Sequence, residues 1–193
     1  QGLDNVFAYH PAADQGGYVN GVMAAAISTT GVIGVVGPIE AGDAVAYING
    51  FVEGAEAGGA TVNVTYTGSF GDVALAAEAA EAHITNNVDV LTGTAQMVVG
   101  AVGVAVSNDV PWFGTQANQT SLAPNLVVAS QVYHWEVVLE EMLALRDSGT
   151  KGGQAFELNM ANGGLVIEFN DGYSLPADVK AAGEAAIAEK SAG

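Results

Sequence analysis

The sequence predicts an α/β protein with one doubly wound parallel-sheet lobe and part of a second α/β lobe. Three observations predict this class. Short apolar, β-branched runs alternate with Ala-rich helical segments through the middle of the chain. These runs are continuously apolar, which is typical of parallel strands buried on both faces. The segments at the two ends of the chain do not continue the alternation, so they are assigned to the second lobe.

The middle of the chain supplies four strands and three helices in alternation. The strands are predicted at Val32–Val36, Thr61–Tyr66, Val88–Thr92 and Val110–Gly114, and the helices at Glu40–Ala57, Asp72–Asn86 and Gln96–Asn108. Asp72 stands where an N-cap residue would accept hydrogen bonds from the first turn of the second helix. Residues 32–128 are therefore predicted to form a complete C-terminal lobe.

The flanking segments carry strand and helix signals of their own. Before the lobe we predict a strand at 4–9 and a helix at Gly16–Ser28, and after it a strand at Leu126–Val132 and a helix at Trp135–Arg146. The runs "QAFELNM" and "GGLVIEFN", joined by "ANGG", predict a hairpin. A last helix is predicted after Pro176. Residues 1–31 and 129–193 are thus predicted to form part of an N-terminal lobe, with hinge crossings near residues 31 and 129.

Charge excludes several classes of function. The chain has 21 acidic and 4 basic residues, a net charge of −17, and no Lys or Arg before Arg146. Nucleic acids and phosphorylated substrates are held by basic side chains, so neither is expected as a partner of the first 145 residues. The excess of acids predicts a solvated acidic surface. No run of about 18 apolar residues is present, and none is expected to span a membrane.

The motifs of common enzymes and cofactor sites are missing. Cysteine is absent, and the three histidines, His10, His83 and His134, lack metal-site spacing, so neither a metal nor a cofactor is predicted. "GVIGVVG" at 31–37 departs from the dinucleotide fingerprint, and its glycines are interpreted as structural. His83 is predicted at the surface or at an edge. His10 and His134 flank the predicted crossings, where a functional role and a packing role both remain open.

Ligands of open parallel sheets bind beyond the carboxyl ends of the strands. Four loops are predicted there: "GPIEAG" (37–42), "TGSFGD" (67–72), "GTAQ" (93–96) and "TQANQT" (115–120). Phe70, in the second loop, could stack on a flat ring or anchor the loop. The amides of Gln96, Gln116 and Asn118 could pair with an adenine edge or simply form turns. Tyr133 and Trp135 are either core aromatics or a wall of the cleft between lobes.

Several motifs resemble the basic membrane protein family of substrate-binding lipoproteins, which serve ABC transporters that import purine nucleosides or bases. The motifs are "INGF" (48–51), "GSFGD" (68–72), "FGTQANQ" (113–119), "APN" (123–125), and the closing segment from "GGQAFELNMANGG" to "LPADVKAAGEAA". The resemblance implies a type I periplasmic-binding-protein fold and an extracytoplasmic location, in the periplasm or on the outer face of the plasma membrane. It also implies ABC permease partners, and a member truncated at its N-terminus that lacks the family's lipid anchor.

The resemblance carries over to four positions. Phe70 falls on the family's purine-contacting aromatic residue, and Trp135 fits a subgroup with Trp after the hinge strand. Asn118 falls where the family commonly has Asp, and Tyr133 where many members have Lys. These two departures favour an uncharged nucleobase, or a nucleoside whose sugar is recognised differently.

The sequence therefore predicts a receptor that captures a purine nucleoside or nucleobase by hinge closure and is not an enzyme. Two alternatives stay open at this point. One is the ligand-sensing core of a transcriptional regulator, which would need a helix-turn-helix and a basic face. The other is a doubly wound α/β nucleoside-processing enzyme, which would need a carboxylate cluster or a glycine fingerprint.

Overall fold

The computed structural model describes residues 3–192, so residues 1, 2 and 193 of the predicted N-terminal lobe lie outside the described residues. Strands are β1 (Ala8–Pro11), β2 (Val32–Gly37), β3 (Thr61–Tyr66), β4 (Val90–Gly93), β5 (Trp112–Gly114), β6 (Val127–Tyr133), β7 (Ala155–Leu158) and β8 (Leu165–Phe169). Helices are α1 (Ala13–Ile27), α2 (Gly42–Ala57), α3 (Val73–Thr85), α4 (Val98–Ser107), α5 (Glu136–Asp147) and α6 (Ala177–Ser191). No helix within residues 3–192 is long and apolar enough to cross a membrane.

The strands form two sheets. The larger has the order β3-β2-β4-β5-β6-β8, and its strands are parallel except β8, which runs antiparallel to β6. Helices α1, α2 and α6 cover one face, and α3 and α4 cover the other. The smaller sheet pairs β1 with β7 in parallel, and α5 packs on it through Val138. The doubly wound parallel lobe predicted from the alternating pattern is therefore present.

The predicted hairpin between the last two strands is wrong. β7 pairs with β1, whereas β8 pairs with β6, so the two strands belong to different sheets. In the "ANGG" segment, the Asn162 side-chain oxygen accepts from the backbone N–H groups of Asn159 and Gly164, and Gly163 has φ +72°. This local turn redirects the chain from one sheet to the other. The sequence therefore predicted a turn at "ANGG" correctly, but the two strands joined by this turn pair with other strands.

The larger sheet also extends past the predicted limits of its lobe. The boundary at 128/129 falls inside β6, and the boundary at 31/32 separates α1 from α2, which pack along each other. Helix α6 packs against α1 as well. We propose that the chain crosses between the two sheets three times instead, near residue 12, near residue 134 and at 159–164.

Helix α1 crosses α2 with the two backbones in direct contact. A Cβ at Gly17 or Gly21 would overlap the carbonyl oxygen of Tyr47 or of Phe51, respectively. On α2, Gly50 and Gly54 face the backbone of α1 in the same way. Both helices therefore carry a Gly-x-x-x-Gly spacing on their contact faces, which permits a close approach between backbones. Any side chain at these positions would force the helices apart.

His83 is buried, contrary to the surface or edge position predicted from its Ala-rich helix. It is 5% exposed, and its Nε2 lies 3.1 Å from the Val35 carbonyl oxygen. A carbonyl only accepts, so Nε2 carries the proton in this bond. Gly34 provides the space, because a Cβ there would lie 2.9 Å from the His83 ring. The glycines of "GVIGVVG" that lie in β2 are therefore structural.

Burial makes folding sensitive to pH through His83. Burial lowers the pKa of the His83 imidazole below its usual value, although the bond to Val35 opposes the shift. The unfolded chain then binds the proton more readily, so His83 lowers stability as the pH falls below about 6.5. We expect the wild type to lose unfolding free energy relative to His83→Gln between pH 7.5 and pH 5. Urea unfolding at both pH values checks this, and parallel losses in the two proteins would contradict it.

Candidate functional site

A pocket of about 430 Å³ lies between the two sheets, where β1 of the smaller sheet faces the carboxyl ends of β5 and β6. Its lining comes from both sheets and from the start of α2: Tyr9, His10, Pro11, Asp43, Gln116, Tyr133 and Trp135. Its volume lies within the range of small-molecule pockets, which often form at interfaces between domains. This pocket is the candidate binding site.

Three aromatic rings form one wall of the pocket. The Trp135 ring lies 5.0 Å from Tyr9 and 5.3 Å from Tyr133, centroid to centroid, with interplanar angles of 82° and 68°. These are edge-to-face contacts, which aromatic pairs prefer over direct stacking. Tyr133 is buried, whereas Tyr9 and Trp135 are 56% and 37% exposed. The two exposed rings are therefore available to a flat ligand, while Tyr133 fixes the wall to the larger sheet.

Gln116 is held in an unusual backbone conformation at the end of β5. Its φ is +69°, a left-handed value that costs a non-glycine residue about 1–2 kcal/mol. Its carbonyl oxygen accepts from the Tyr133 backbone N–H at 3.3 Å, which ties the ends of β5 and β6 together. Such outliers cluster at binding sites, where the surrounding structure maintains them. Here the conformation brings the Gln116 residue to the pocket.

Tyr133 lies between a carboxylate and a buried amide. Burial raises the pKa of its phenol, the Gln131 side chain opposes that rise, and the Asp43 carboxylate adds to it. Tyr133 therefore stays neutral at physiological pH. Gln131 is fully buried, and its side-chain amide interacts with this phenol but makes no hydrogen bond of good geometry among the described residues.

A directed chain of hydrogen bonds supports the larger sheet beneath the pocket. Asn20 Nδ2 donates to the Tyr47 hydroxyl at 3.0 Å, and Thr92 Oγ1 donates to the Phe113 carbonyl at 2.8 Å. The Tyr47 hydroxyl therefore donates to Thr92 Oγ1, 2.9 Å away. Burial raises the pKa of Tyr47 to about 12, so it remains a donor. The chain links α1 and α2 to the ends of β4 and β5.

The structure brings together three of the six predicted contact residues. Gln116, Tyr133 and Trp135 line the pocket. Phe70, 47% exposed, lies instead beside the loop after β4, where its carbonyl accepts from the Met97 N–H at 3.1 Å. Gln96, the residue before Met97, is exposed on the same rim. Phe70 and Gln96 are therefore near each other but do not line the pocket, and their ligand contacts stay predictions.

Asn118 makes contacts within the protein. Its Nδ2 donates to Glu168 Oε2 at 2.6 Å, and its Oδ1 accepts from the Thr120 N–H at 2.9 Å. One N–H and one lone pair of the amide are engaged in these bonds, and one of each remains. Asn118 does not line the pocket, so its contact with an adenine edge also stays a prediction.

Sequence reasoning did not assign Tyr9, Pro11 or Asp43 to the site. Asp43 lies in the first turn of α2, where an acidic residue is typical of a helix start and does not by itself indicate a binding site. The sequence feature that could have indicated β1 as part of the site is the run "AYHP", which places an aromatic residue next to a histidine. His10 was placed beside a predicted crossing, and it does line the pocket. Among residues 3–192, no cluster of three or more metal-ligating side chains occurs.

Comparisons with known proteins agree with this architecture. The family model described as "ABC transporter substrate-binding protein PnrA-like" matches residues 1–185. A purine-binding protein of Brucella abortus is 29% identical over 180 residues, covering 92% of this chain and 50% of that protein. Basic membrane protein A2 of Borrelia garinii is 30% identical over 123 residues, covering 61% of this chain and 36% of that protein. The chain thus spans half the length of these curated relatives or less.

Two solved structures show the fold. A solute-binding protein of an ABC transporter system from Conexibacter woesei superimposes with a TM-score of 0.79 at 24% identity, over 99% of this chain and 65% of that chain. A transcriptional activator of the comK gene from Bacillus halodurans reaches 0.84 at 22% identity, over 96% and 65%. The predicted type I periplasmic-binding-protein fold is confirmed. The matching family and the Brucella abortus relative are described as binding proteins, in agreement with the prediction that the chain is not an enzyme.

Proposed function

The chain belongs to the family of PnrA-like ABC transporter substrate-binding proteins, and from that premise we propose that it binds a purine nucleoside or nucleobase for import. The observation that carries the proposal is the pocket between the sheets. Its lining combines exposed aromatic rings with amide and hydroxyl groups and contains no Lys or Arg. Aromatic rings bind the face of a flat heterocycle, and amides pair with its edge. The purine-binding relative from Brucella abortus supports the same class of ligand.

The course of the chain supports closure of the two sheets on the ligand. Three crossings, near residues 12 and 134 and at 159–164, join the larger sheet to the smaller one. Residues at crossings of this kind can absorb a hinge rotation. The ligand would contact β1 of the smaller sheet and Gln116 and Asp43 of the larger one, with the aromatic wall of Tyr9, Trp135 and Tyr133 along one side. Binding therefore favours the closed arrangement, in which both sets of contacts form.

The location and partners follow from the family. ABC substrate-binding proteins of this family act outside the cytoplasm and deliver their ligand to permease subunits. We propose the same for this protein, with attachment to the membrane through an N-terminal lipid anchor. Delivery would occur when the permease binds the closed, ligand-loaded form.

Isothermal titration calorimetry on the full product of the gene tests the proposed ligand class. Adenine, adenosine and guanosine are titrated in parallel with ribose and with leucine as controls of other transported classes. We expect saturable binding of at least one purine and no heat from ribose or leucine. Binding of ribose or leucine without a purine signal would overturn the assignment.

A further inference from the structure

Asp43 is the one carboxylate among the residues that line the pocket. It is partly buried, in the first turn of α2, and it lies close enough to Tyr133 to raise the pKa of that phenol. We propose that Asp43 is a specificity-determining residue: it accepts an N–H or O–H hydrogen bond from the ligand and excludes anionic ligands. This inference rests on the proposed function and assigns a role to a residue that was not among the predicted contacts.

The charge of Asp43 is not neutralised by a basic side chain in the described part of the chain. None of the four basic residues, Arg146, Lys151, Lys180 and Lys190, lines the pocket, and no ion pair among the described residues includes Asp43. An anionic phosphate entering the pocket would therefore meet an unpaired carboxylate. Like charges at close range in a partly desolvated site repel strongly.

The same carboxylate favours ligands that carry hydrogen-bond donors. Hydrogen bonds to an ionised acceptor are roughly twice as strong as those between neutral groups. Asn118 bonds to Glu168 and Thr120 and does not line the pocket, so Asp43 is the charged acceptor that a ligand donor meets there. The donor on the ligand is either a sugar hydroxyl or an exocyclic amine, and these share the chemistry that Asp43 recognises.

The Tyr133 phenol interacts with the side chains of both Asp43 and Gln131. Burial has the largest effect on the pKa of this phenol, and both side chains are close enough to affect it as well: Gln131 lowers it and Asp43 raises it. Tyr133 lines the pocket together with Asp43. A polar ligand group in contact with Asp43 would therefore meet the neutral Tyr133 phenol as well.

The test compares Asp43→Asn with Glu40→Gln by isothermal titration calorimetry. Both substitutions remove one charge with little change of shape. Glu40 is exposed in the loop just before α2 and does not line the pocket. We expect Asp43→Asn to weaken binding of adenosine or adenine by about 10- to 100-fold and to reduce the discrimination against adenosine 5′-monophosphate. Glu40→Gln should match the wild type, and thermal unfolding should show both variants folded.

Further ligands identify the donor. If a sugar hydroxyl meets Asp43, the penalty of Asp43→Asn should disappear with adenine, which has no sugar, and 2′,3′-dideoxyadenosine then separates the 2′ and 3′ hydroxyls from the 5′ hydroxyl. If the amine meets Asp43, the penalty should persist with adenine. Either pattern supports the inference. Equal affinities of wild type and Asp43→Asn for all four ligands would overturn it while leaving the proposed function intact. Absence of purine binding by the wild type would overturn the proposed function and this inference together.

Discussion

Replacing Gly21 with alanine is expected to lower the free energy of unfolding by about 3 kcal/mol or more. Gly21 is fully inside the contact between α1 and α2. A Cβ at this position would overlap the Phe51 carbonyl oxygen and lie 2.8 Å from the Ala55 nitrogen. These are backbone atoms of another helix, so no side-chain rotation relieves the clash. The helices would have to separate, which would loosen the packing of Val19 and Met23 in the core.

Gly103→Ala is the matched control for this experiment. Gly103 also lies in the interior of a helix, α4, but a Cβ there would meet no atom within 4 Å. Alanine removes the entropic cost of glycine, so we expect a gain of about 0.5–1 kcal/mol. Urea unfolding followed by circular dichroism measures both variants. Equal effects of the two substitutions would show that the close contact between α1 and α2 does not determine stability.

Replacing Trp135 with alanine is expected to weaken purine binding by about 10- to 100-fold. Trp135 is the central ring of the aromatic wall, in contact with both Tyr9 and Tyr133. Stacking of a base on an aromatic side chain contributes about 1–3 kcal/mol. The substitution also removes the support that orients Tyr9, so the loss should fall toward the upper end of this range.

Calorimetric titration with the tightest-binding purine measures the effect of Trp135→Ala. Val106→Ala is the control, because Val106 is 49% exposed near the far end of α4, away from the pocket. Its affinity should equal that of the wild type. If Trp135→Ala binds as tightly as Val106→Ala, the aromatic wall does not contact the ligand.

Phe70→Ala tests the contact that the family resemblance predicts. Phe70 is exposed on the rim next to Gln96 and lies outside the pocket lining. A ligand that extends from the pocket along this rim would reach it, and the substitution would then weaken binding by about 10- to 100-fold. An unchanged affinity would remove Phe70 from the site and confine the ligand to the residues between the sheets.

Local patterns in the sequence were sufficient for most elements of the larger sheet. Thr61–Tyr66 was predicted as a strand and is β3. Asp72 was predicted to cap the next helix, and its Oδ1 accepts from the N–H groups of Ala74 and Leu75 at 3.1 Å. These features depend on neighbours a few residues away. Periodicity and capping report directly on such short-range interactions.

Pairing between distant segments was not predictable in the same way. The "ANGG" turn suggested that the last two strands pair with each other, but β7 pairs with β1, about 145 residues away along the chain. The close contact of α1 and α2 left a sequence signal, the glycine spacing at 17/21 and 50/54, whose meaning depends on which helices meet. His83 was misplaced because the small alanines around it do not indicate which face of α3 is buried.

The residues of the candidate site also differ in whether short-range sequence signals or contacts between distant segments bring them together. Gln116 lies in a loop that the rule for carboxyl ends of parallel strands predicted, and Tyr133, predicted as a core or cleft-wall aromatic, is the last residue of β6 at the same edge. Tyr9 joins the site because the smaller sheet approaches the larger one. Asp43, in the first turn of α2, already lies at the carboxyl edge of the larger sheet, directly after the predicted loop at 37–42. The sequence analysis predicts hinge crossings near residues 31 and 129, whereas the three crossings that we propose depend on pairing between distant strands.

A crystal structure of the protein with adenosine tests the central claim most directly. The account predicts the purine ring between the two sheets, against Trp135, with a donor group of the ligand facing Asp43. Adenosine bound elsewhere on the molecule, or a phosphorylated ligand occupying the pocket beside Asp43, would contradict it.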